Sequence, residues 1–196
     1  MPLPASTILK TTSLTVGYDT PLCLFPDVEL ATGLVQISAP NGLGKSTLFE
    51  TLAGLRSPLG GKATLGDQSE LCYLSHQLGF DDQELVADVT GLWAQNTGST
   101  AEQVQSGLTE LALTALQYSP VKELSAGQRK RLALLRVWLS KAQLLLLDEP
   151  FVGLDRQWSE WLLQWLAKVS RTNLVMVVAH DRVLPNSQVI QLGVAP

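Results

Sequence analysis

The sequence has few cysteines, few charged residues and no excess of positive charge. Its 196 residues include two cysteines, Cys23 and Cys72, which lie far apart and form no C-x-x-C pair. We interpret them as single apolar thiols in a reducing compartment. The formal charge of −4 gives no excess of positive charge with which a broad surface could bind nucleic acid, so a DNA- or RNA-binding role is disfavoured.

Long apolar runs are also missing. The uncharged apolar stretches fall well short of the roughly 18 residues that a membrane-spanning helix needs. The first residues lack a cationic start followed by an apolar segment of signal-peptide length. We therefore expect a cytosolic chain that neither crosses a membrane nor is exported, so any membrane association requires a partner protein. Its 45% apolar content fits a globular α/β domain.

Short apolar runs and turn signals predict strands in the first forty residues, the last of them Gly33–Ser38, and then a glycine-bearing loop and a helix from Lys45. Two helical patterns between residues 81 and 120 predict a small helical lobe. The chain then returns to helices alternating with apolar strands, which favours a parallel sheet. These later elements are a helix over 128–140, a strand over 144–147, a helix over 157–169 and a strand over 173–179.

The segment APNGLGKST, residues 39–47, lies between a predicted buried strand and a helix, as a phosphate-binding loop does. Glycines allow backbone N–H groups to face a phosphate, and the helix N-terminus adds its dipole. Lys45 would reach the β- and γ-phosphates and Ser46 would ligate Mg²⁺. Ala39 replaces the first glycine of the usual pattern, which is tolerable if its φ is negative. The alternative is a glycine-rich turn with an incidental lysine.

Two further motifs follow. LLLLDEP ends a predicted strand with adjacent carboxylates, so Asp148 can hold Mg²⁺ while Glu149 polarises water. Alone, it could be a solvated Asp-Glu-Pro turn. LSAGQ, residues 124–128, opens a basic helix and could form a second anion site through a capping serine and small neighbours. Its alternative is an ordinary helix cap.

Together with GLD at 153–155 and the strand-ending His180, these motifs resemble, in their order and over nearly the whole chain, ATP-binding-cassette ATPases. The resemblance implies an α/β fold with a RecA-like P-loop NTPase core, an antiparallel β-subdomain and a helical subdomain. We expect the core to comprise 1–78 and 121–196, and the helical subdomain 79–120. It also implies ATP and Mg²⁺ as ligands. The expected assembly is a nucleotide-dependent homodimer with ATP between the P-loop of one subunit and LSAGQ of the other.

The resemblance assigns roles residue by residue. Glu149, His180 and Lys45 would be catalytic, and Ser46 and Asp148 would bind the metal. Tyr18 would stack on adenine, although a turn tyrosine is the plainer alternative. The remaining nucleotide contacts would come from Ala39, Pro40, Asn41, Gly42, Leu43, Gly44, Thr47, Ser125, Ala126, Gly127, Gln128 and Asp155.

Two departures from the usual motifs of this family point to one subgroup within it. Ala126 replaces a glycine of the usual LSGGQ, and in YLSHQLGF either His76 or Gln77 could serve as the Mg²⁺-contacting residue of the glutamine loop. These strings, with the short length, are similar to the ATP-binding subunits of haem exporters in bacterial cytochrome c maturation. That resemblance implies multi-span membrane partners and a peripheral location on the cytoplasmic face of the bacterial inner membrane.

Other patterns leave alternatives open. Trp158, Trp161 and Trp165 share one helix face, which is either a core stripe or a docking face for a membrane subunit. Arg129, Lys130 and Arg131 are interpreted as a solvated face that assists nucleotide binding.

Two other functions for the whole chain remain as alternatives. The first is a soluble cassette protein acting on ribosomes or nucleic acid, and the second is a nucleotide-gated regulatory subunit with little turnover.

Overall fold

The computed structural model describes residues 7–66, 69–180 and 182–194. Within these ranges the chain forms one antiparallel and one parallel sheet, with helices packed around them. Short 3₁₀ helices occupy Thr114–Leu116 and Val121–Glu123. In chain order the other elements are β1 (Leu9–Gly17), β2 (Pro21–Phe25), β3 (Glu29–Leu30), β4 (Gly33–Ser38), α1 (Lys45–Leu52), β5 (Gly60–Leu65), β6 (Leu71–Leu74), α2 (Val86–Thr97), α3 (Ala101–Glu110), α4 (Ala126–Leu139), β7 (Leu144–Asp148), α5 (Arg156–Val169), β8 (Leu174–Val178), β9 (Gln188–Gln191) and β10 (Gly193–Val194).

The parallel sheet has the strand order β6-β7-β8-β4-β9. All residues of β7 and β8 are buried, because helices or the other sheet cover both faces of this sheet. Strands β4, β7 and β8 are neighbours and run in the same direction, so their carboxyl ends meet at one edge. That edge is where ligands bind in open α/β sheets.

The antiparallel sheet is built around β1, which pairs with β2, β3 and β5, while β10 extends it beside β2. Its inner face joins Leu48 and Phe49 of α1 and Ile37 of β4 in one apolar cluster. A second cluster lies on the opposite face of the parallel sheet and includes Leu162 and Leu166 of α5. The phosphate-loop segment therefore lies between two packed layers.

Helices α2 and α3 pack against α4 and form a third apolar cluster, centred on residues such as Leu132 and Leu135. Gly107 of α3 allows the close approach, since a Cβ there would lie 2.4 Å from a methyl of Leu135. Both α3 and α4 begin with a complete capping box, in which a hydroxyl side chain and a glutamine satisfy two free backbone N–H groups.

The strand–loop–helix unit around Lys45 is confirmed, with β4 and the start of α1 at the predicted residues. The helices predicted over 128–140 and 157–169 are confirmed as α4 and α5, with starts one or two residues earlier. The helical pattern AEQVQSGLTELALTAL predicts a second lobe helix over 101–116, which is too long: α3 ends at Glu110 because Ala112 adopts a left-handed φ of 51°, and a 3₁₀ turn follows. No helix among the described residues is long and apolar enough to cross a membrane.

Candidate functional site

A cleft of about 420 Å³ lies at the carboxyl edge of the parallel sheet. It brings together residues that follow β4, β7 and β8. The residues after β4 precede those after β7 and β8 by more than a hundred positions in the chain. The residues that line it are Tyr18, Leu22, Asn41, Gly42, Gly44, Lys45, Ser46, Thr47, Glu149 and His180.

The loop between β4 and α1 curls because Gly42 and Gly44 have positive φ angles of 78° and 85°. Gly44 also precedes the first turn of α1, and a Cβ there would lie 3.2 Å from Cβ of Leu22. Residues that carry a side chain rarely adopt φ angles in this left-handed region, so glycine is needed at both positions. Ala39 and Leu43 pack against the apolar core instead of lining the cleft. The loop thus presents its backbone to the cleft, which suits an anion.

The Lys45 side chain folds back into this loop and is 7% exposed. Its Nζ donates to the carbonyl oxygens of Ala39 at 2.8 Å and Pro40 at 3.0 Å. Burial lowers the pKa of Lys45, while the negative charges of Glu149 and Asp148 raise it. The ammonium group is therefore held at the loop's centre and faces the two carboxylates.

Asp148 is the last residue of β7 and is 1% exposed. Neither carboxylate oxygen has a hydrogen-bond partner of normal geometry among the described residues. Burial raises the pKa of Asp148, whereas the nearby Ser46 hydroxyl and His76 act in the opposite direction. A buried, unsatisfied carboxylate beside a serine hydroxyl is an oxygen donor set that fits a hard divalent cation such as Mg²⁺.

Glu149 turns away from its strand with a left-handed φ of 49°, which is uncommon for any residue except glycine. Its backbone N–H donates to the Val178 carbonyl at 3.0 Å, so the turn is tied to the end of β8. Its Oε1 lies 2.8 Å from Nε2 of His180. This geometry places a carboxylate and an imidazole together on the cleft.

The segment that carries His180 is anchored by Gln36, a residue that the sequence analysis did not single out. Gln36 lies in β4, an interior strand between β8 and β9, and is 5% exposed. Its amide nitrogen donates to the carbonyls of Ala179 at 3.4 Å and Arg182 at 2.8 Å, and its oxygen accepts from the Leu184 N–H at 2.8 Å. A polar residue inside the apolar run GLVQIS is the signal that could have identified it.

Of the two glutamine-loop candidates, His76 is the one near the buried carboxylate. Its Nδ1 lies 3.8 Å from Oδ2 of Asp148, whereas the Gln77 side chain is exposed and makes no hydrogen bond among the described residues. Both follow the end of β6 at Leu74, in a bend rather than a strand. The described residues contain no group of three or more His, Cys, Asp or Glu side chains that could hold a metal.

The structure does not bring LSAGQ to this cleft. Ser125 caps α4 by accepting from the Gln128 N–H at 3.2 Å, and the Gln128 side chain accepts from the Ser125 N–H at 2.7 Å. A Cβ at Gly127 would lie 3.0 Å from the Gly153 carbonyl, so the loop before α5 packs on the start of α4. Asp155 caps α5 through the Trp158 N–H at 2.9 Å. These residues, with Ala126, form a separate surface within the described chain.

Tyr18 lines the cleft and is 57% exposed. The Arg56 guanidinium lies 4.2 Å from its ring centroid, so one face of the ring is covered by the chain's own cation. Cation–π contacts of this kind leave the opposite ring face available.

The interpretation of Arg129, Lys130 and Arg131 as one solvated face is wrong. Consecutive helical residues point about 100° apart, so the three side chains go to different surroundings. Arg129 pairs with Asp82 at 2.9 Å, and Arg131 lies 4.4 Å from the Trp158 ring centroid. Lys130 is 5% exposed and donates to the Glu149 carbonyl at 3.2 Å.

The tryptophan stripe of α5 forms a ladder of rings. The centroids of Trp158 and Trp161 are 5.8 Å apart, and those of Trp161 and Trp165 are 6.2 Å apart and nearly parallel. The rings pack partly against the apolar clusters and remain partly exposed. The core interpretation therefore holds in part, and the role of the exposed ring surface as a docking face for a membrane subunit stays a prediction.

Comparisons with known proteins agree with this geometry. A family model described as ABC transporter matches residues 30–152. The cytochrome c biogenesis ATP-binding export protein CcmA of Tatumella citrea is 32% identical over 195 residues, covering 92% of each chain. The protein of the same name from Pseudomonas fluorescens is 36% identical over 190 residues, covering 89% of this chain and 90% of the relative.

Solved structures show the same fold at lower identity. An ABC transporter ATP-binding protein from Pyrococcus furiosus superposes with a TM-score of 0.82 at 21% identity, covering 95% of this chain and 99% of that one. A metal-chelate type ABC transporter in an inward-facing conformation gives a TM-score of 0.79 at 22% identity, covering 96% of this chain and 80% of that one. The expected α/β P-loop architecture is therefore confirmed.

Proposed function

The chain belongs to the ABC transporter family, as an ATP-binding subunit that hydrolyses ATP, and from this premise we propose that it drives haem export for cytochrome c biogenesis. The name shared by its relatives supports the pathway, and the cleft supports the chemistry. The observation that carries the ATPase chemistry is the buried Asp148, whose oxygens have no hydrogen-bond partner among the described residues, next to the Glu149–His180 pair and near Lys45.

Nucleotide binding begins at the loop between β4 and α1. Its backbone N–H groups and the first turn of α1 receive the β-phosphate, and Lys45 exchanges its two carbonyl partners for β- and γ-phosphate oxygens. Ser46 and Asp148 would hold Mg²⁺, which neutralises charge between the β- and γ-phosphates when it is bound. The open face of Tyr18 stacks on the adenine ring.

Hydrolysis uses the pair at the ends of β7 and β8. The Glu149 carboxylate accepts a proton from the attacking water and polarises it. His180 holds the carboxylate at 2.8 Å and faces the transferred phosphoryl group. The Gln36 amide fixes the segment on both sides of His180, so the imidazole is positioned from β4, the strand next to β8.

The site is completed by a second copy of the chain. The capped start of α4 lies outside the cleft of its own subunit, while its serine and small residues suit a phosphate. In a twofold dimer the LSAGQ segment of each subunit covers the γ-phosphate bound by the other. Multi-span membrane subunits receive the resulting motion, and the dimer works at the cytoplasmic face of the bacterial inner membrane.

The test uses a strain whose chromosomal gene for this chain is deleted. Covalent haem attachment to c-type cytochromes, measured by haem-peroxidase staining, should be lost and then restored by the wild-type gene. Glu149→Gln, expressed at equal level, should fail to restore it, while Lys62→Gln on the exposed strand β5 should succeed. Normal cytochrome c in the deletion strain would refute the export role, and Mg²⁺-dependent ATPase activity of the purified chain tests the enzyme separately.

A further inference from the structure

Lys130 is a buried ammonium group that the mechanism above does not use. It lies on the second turn of α4, the helix that LSAGQ opens, and is 5% exposed. Its Nζ donates to the backbone carbonyl of Glu149 at 3.2 Å. The contact joins the segment that faces the partner subunit to the peptide that carries the proposed proton acceptor.

Burying this cation is costly, so its retention at this position requires a compensating interaction. Burial lowers the pKa of Lys130, and the negative charges of Asp148 and Glu149 raise it. Lys45 approaches the same two carboxylates from the phosphate loop. The acidic pair therefore lies between two buried lysines, of which Lys45 donates to carbonyls of the phosphate loop and Lys130 donates to the carbonyl of Glu149.

Glu149 needs support because its φ of 49° is uncommon for a residue with a side chain. Its N–H is held by the Val178 carbonyl, which fixes one end of the residue to β8. Its carbonyl accepts from Nζ of Lys130 at 3.2 Å, which ties the other end to α4, and from the Val152 N–H at 3.3 Å within the same turn. With both ends held, the carboxylate has a defined direction toward His180 and the cleft.

We propose that Lys130 is a positioning residue for hydrolysis, which holds the Glu149 peptide and thereby couples the LSAGQ helix to the proton-accepting carboxylate. The inference rests on the proposed function of Glu149. It explains how phosphate binding at the start of α4 is sensed in the neighbouring site of the same subunit. A shift of α4 moves Nζ, and the peptide it holds redirects the carboxylate.

The experiment compares steady-state ATP hydrolysis by the purified full-length chain and its variants at saturating Mg²⁺. Lys130→Met keeps the length and apolar stem but removes the donor, so kcat should fall by roughly 10- to 100-fold, as misplacement of a reacting group does. The KM for ATP should stay within about threefold, since Lys130 makes no contact in the nucleotide cleft. Lys130→Gln keeps an N–H donor and should recover part of the lost kcat.

Val137→Ala serves as the stability control, because Val137 is buried on the same helix nearly two turns beyond Lys130. It should lower the Tm with kcat near that of the wild type. A kcat of Lys130→Met within about twofold of wild type would overturn the proposal, as would equal losses in the Met and Gln variants. If the wild-type chain itself hydrolyses no ATP, the proposed function fails instead.

Discussion

The Nε2 atom of His180 lies 2.8 Å from Oε1 of Glu149, although the two residues follow different strands of the parallel sheet. Their side chains are 31% and 32% exposed, so both reach the cleft while keeping protein contacts. The pairing depends on the adjacency of β7 and β8 and on the left-handed turn at Glu149. The fold of the chain itself therefore holds a carboxylate and an imidazole together at the edge of the sheet.

Glu149→Gln is expected to lower ATP hydrolysis by a factor on the order of 10² or more, the scale of general-base loss. The amide keeps the shape of the side chain but removes the negative charge and the proton acceptor. ATP should still bind through Lys45, Ser46 and Asp148, so an ATP-bound dimer should persist on size-exclusion chromatography. Phosphate release measures the turnover.

Glu160→Gln is the matched control, since Glu160 pairs with Arg156 on the exposed face of α5 at 2.9 Å. It makes the same chemical change away from the cleft and should leave phosphate release unaltered. Near-normal turnover in Glu149→Gln would show that another group activates the water and would move the assignment toward His180.

Asp148→Asn is expected to remove most of the added stability that Mg²⁺ and ATP confer on the chain. The amide keeps the shape of the side chain but lacks the negative charge that a hard divalent cation prefers. Without nucleotide the Tm should fall, because the buried ammonium groups of Lys45 and Lys130 lose a compensating negative charge. Thermal unfolding with and without Mg²⁺-ATP measures both effects.

Asp88→Asn, in the exposed first turn of α2, provides the comparison for this prediction. It removes a favourable helix-dipole interaction and should lower stability slightly, with the rise in Tm caused by Mg²⁺-ATP intact. A rise in Tm on adding Mg²⁺-ATP to Asp148→Asn as large as that of the wild type would show that this carboxylate does not hold the cation.

Much of this site follows from sequence because local rules determine it. Gly42 and Gly44 are required by backbone conformation, and the strand-ending position of Asp148 follows from the apolar run before it. The parallel strands then bring the two motifs to the same edge. Motif spacing and hydrophobic periodicity are sufficient to predict the structural position of these residues, since that position is determined by their neighbours in the chain.

The features that the sequence did not predict depend on contacts between residues that are distant in the chain. The burial of Lys130 depends on the packing of α4 against the end of β7, which no local pattern encodes. The anchoring role of Gln36 depends on residues beyond β8 that are more than 140 positions away. Strand β5 was missed because GGKATL is glycine-rich and mostly exposed, so its pairing with β1 leaves no hydrophobic period.

His76, rather than Gln77, is expected to couple the loop after β6 to the metal site. Its Nδ1 lies 3.8 Å from Oδ2 of Asp148, a distance that a small movement or one water can bridge. His76→Ala should therefore raise the Mg²⁺ concentration needed for half-maximal ATPase activity and lower turnover. Gln77→Ala, its adjacent control, should have little effect, and equal effects of the two substitutions would contradict the assignment.

The proposed composite site gives the last prediction. The LSAGQ segment lies more than seventy residues after Lys45 and outside the cleft that Lys45 lines, so each subunit of the proposed dimer would hold two separate half-sites. A dimer of one Lys45→Ala chain and one Ser125→Arg chain then has one doubly damaged site and one intact site. At equal mixing, about a quarter of wild-type activity should return if sites act independently in a symmetric dimer. Lys45→Ala mixed with Glu149→Gln is the control, because both changes damage the same half-site and every site in that mixture is defective. Mixtures of the first kind that never exceed either variant alone would show that LSAGQ does not act across the dimer.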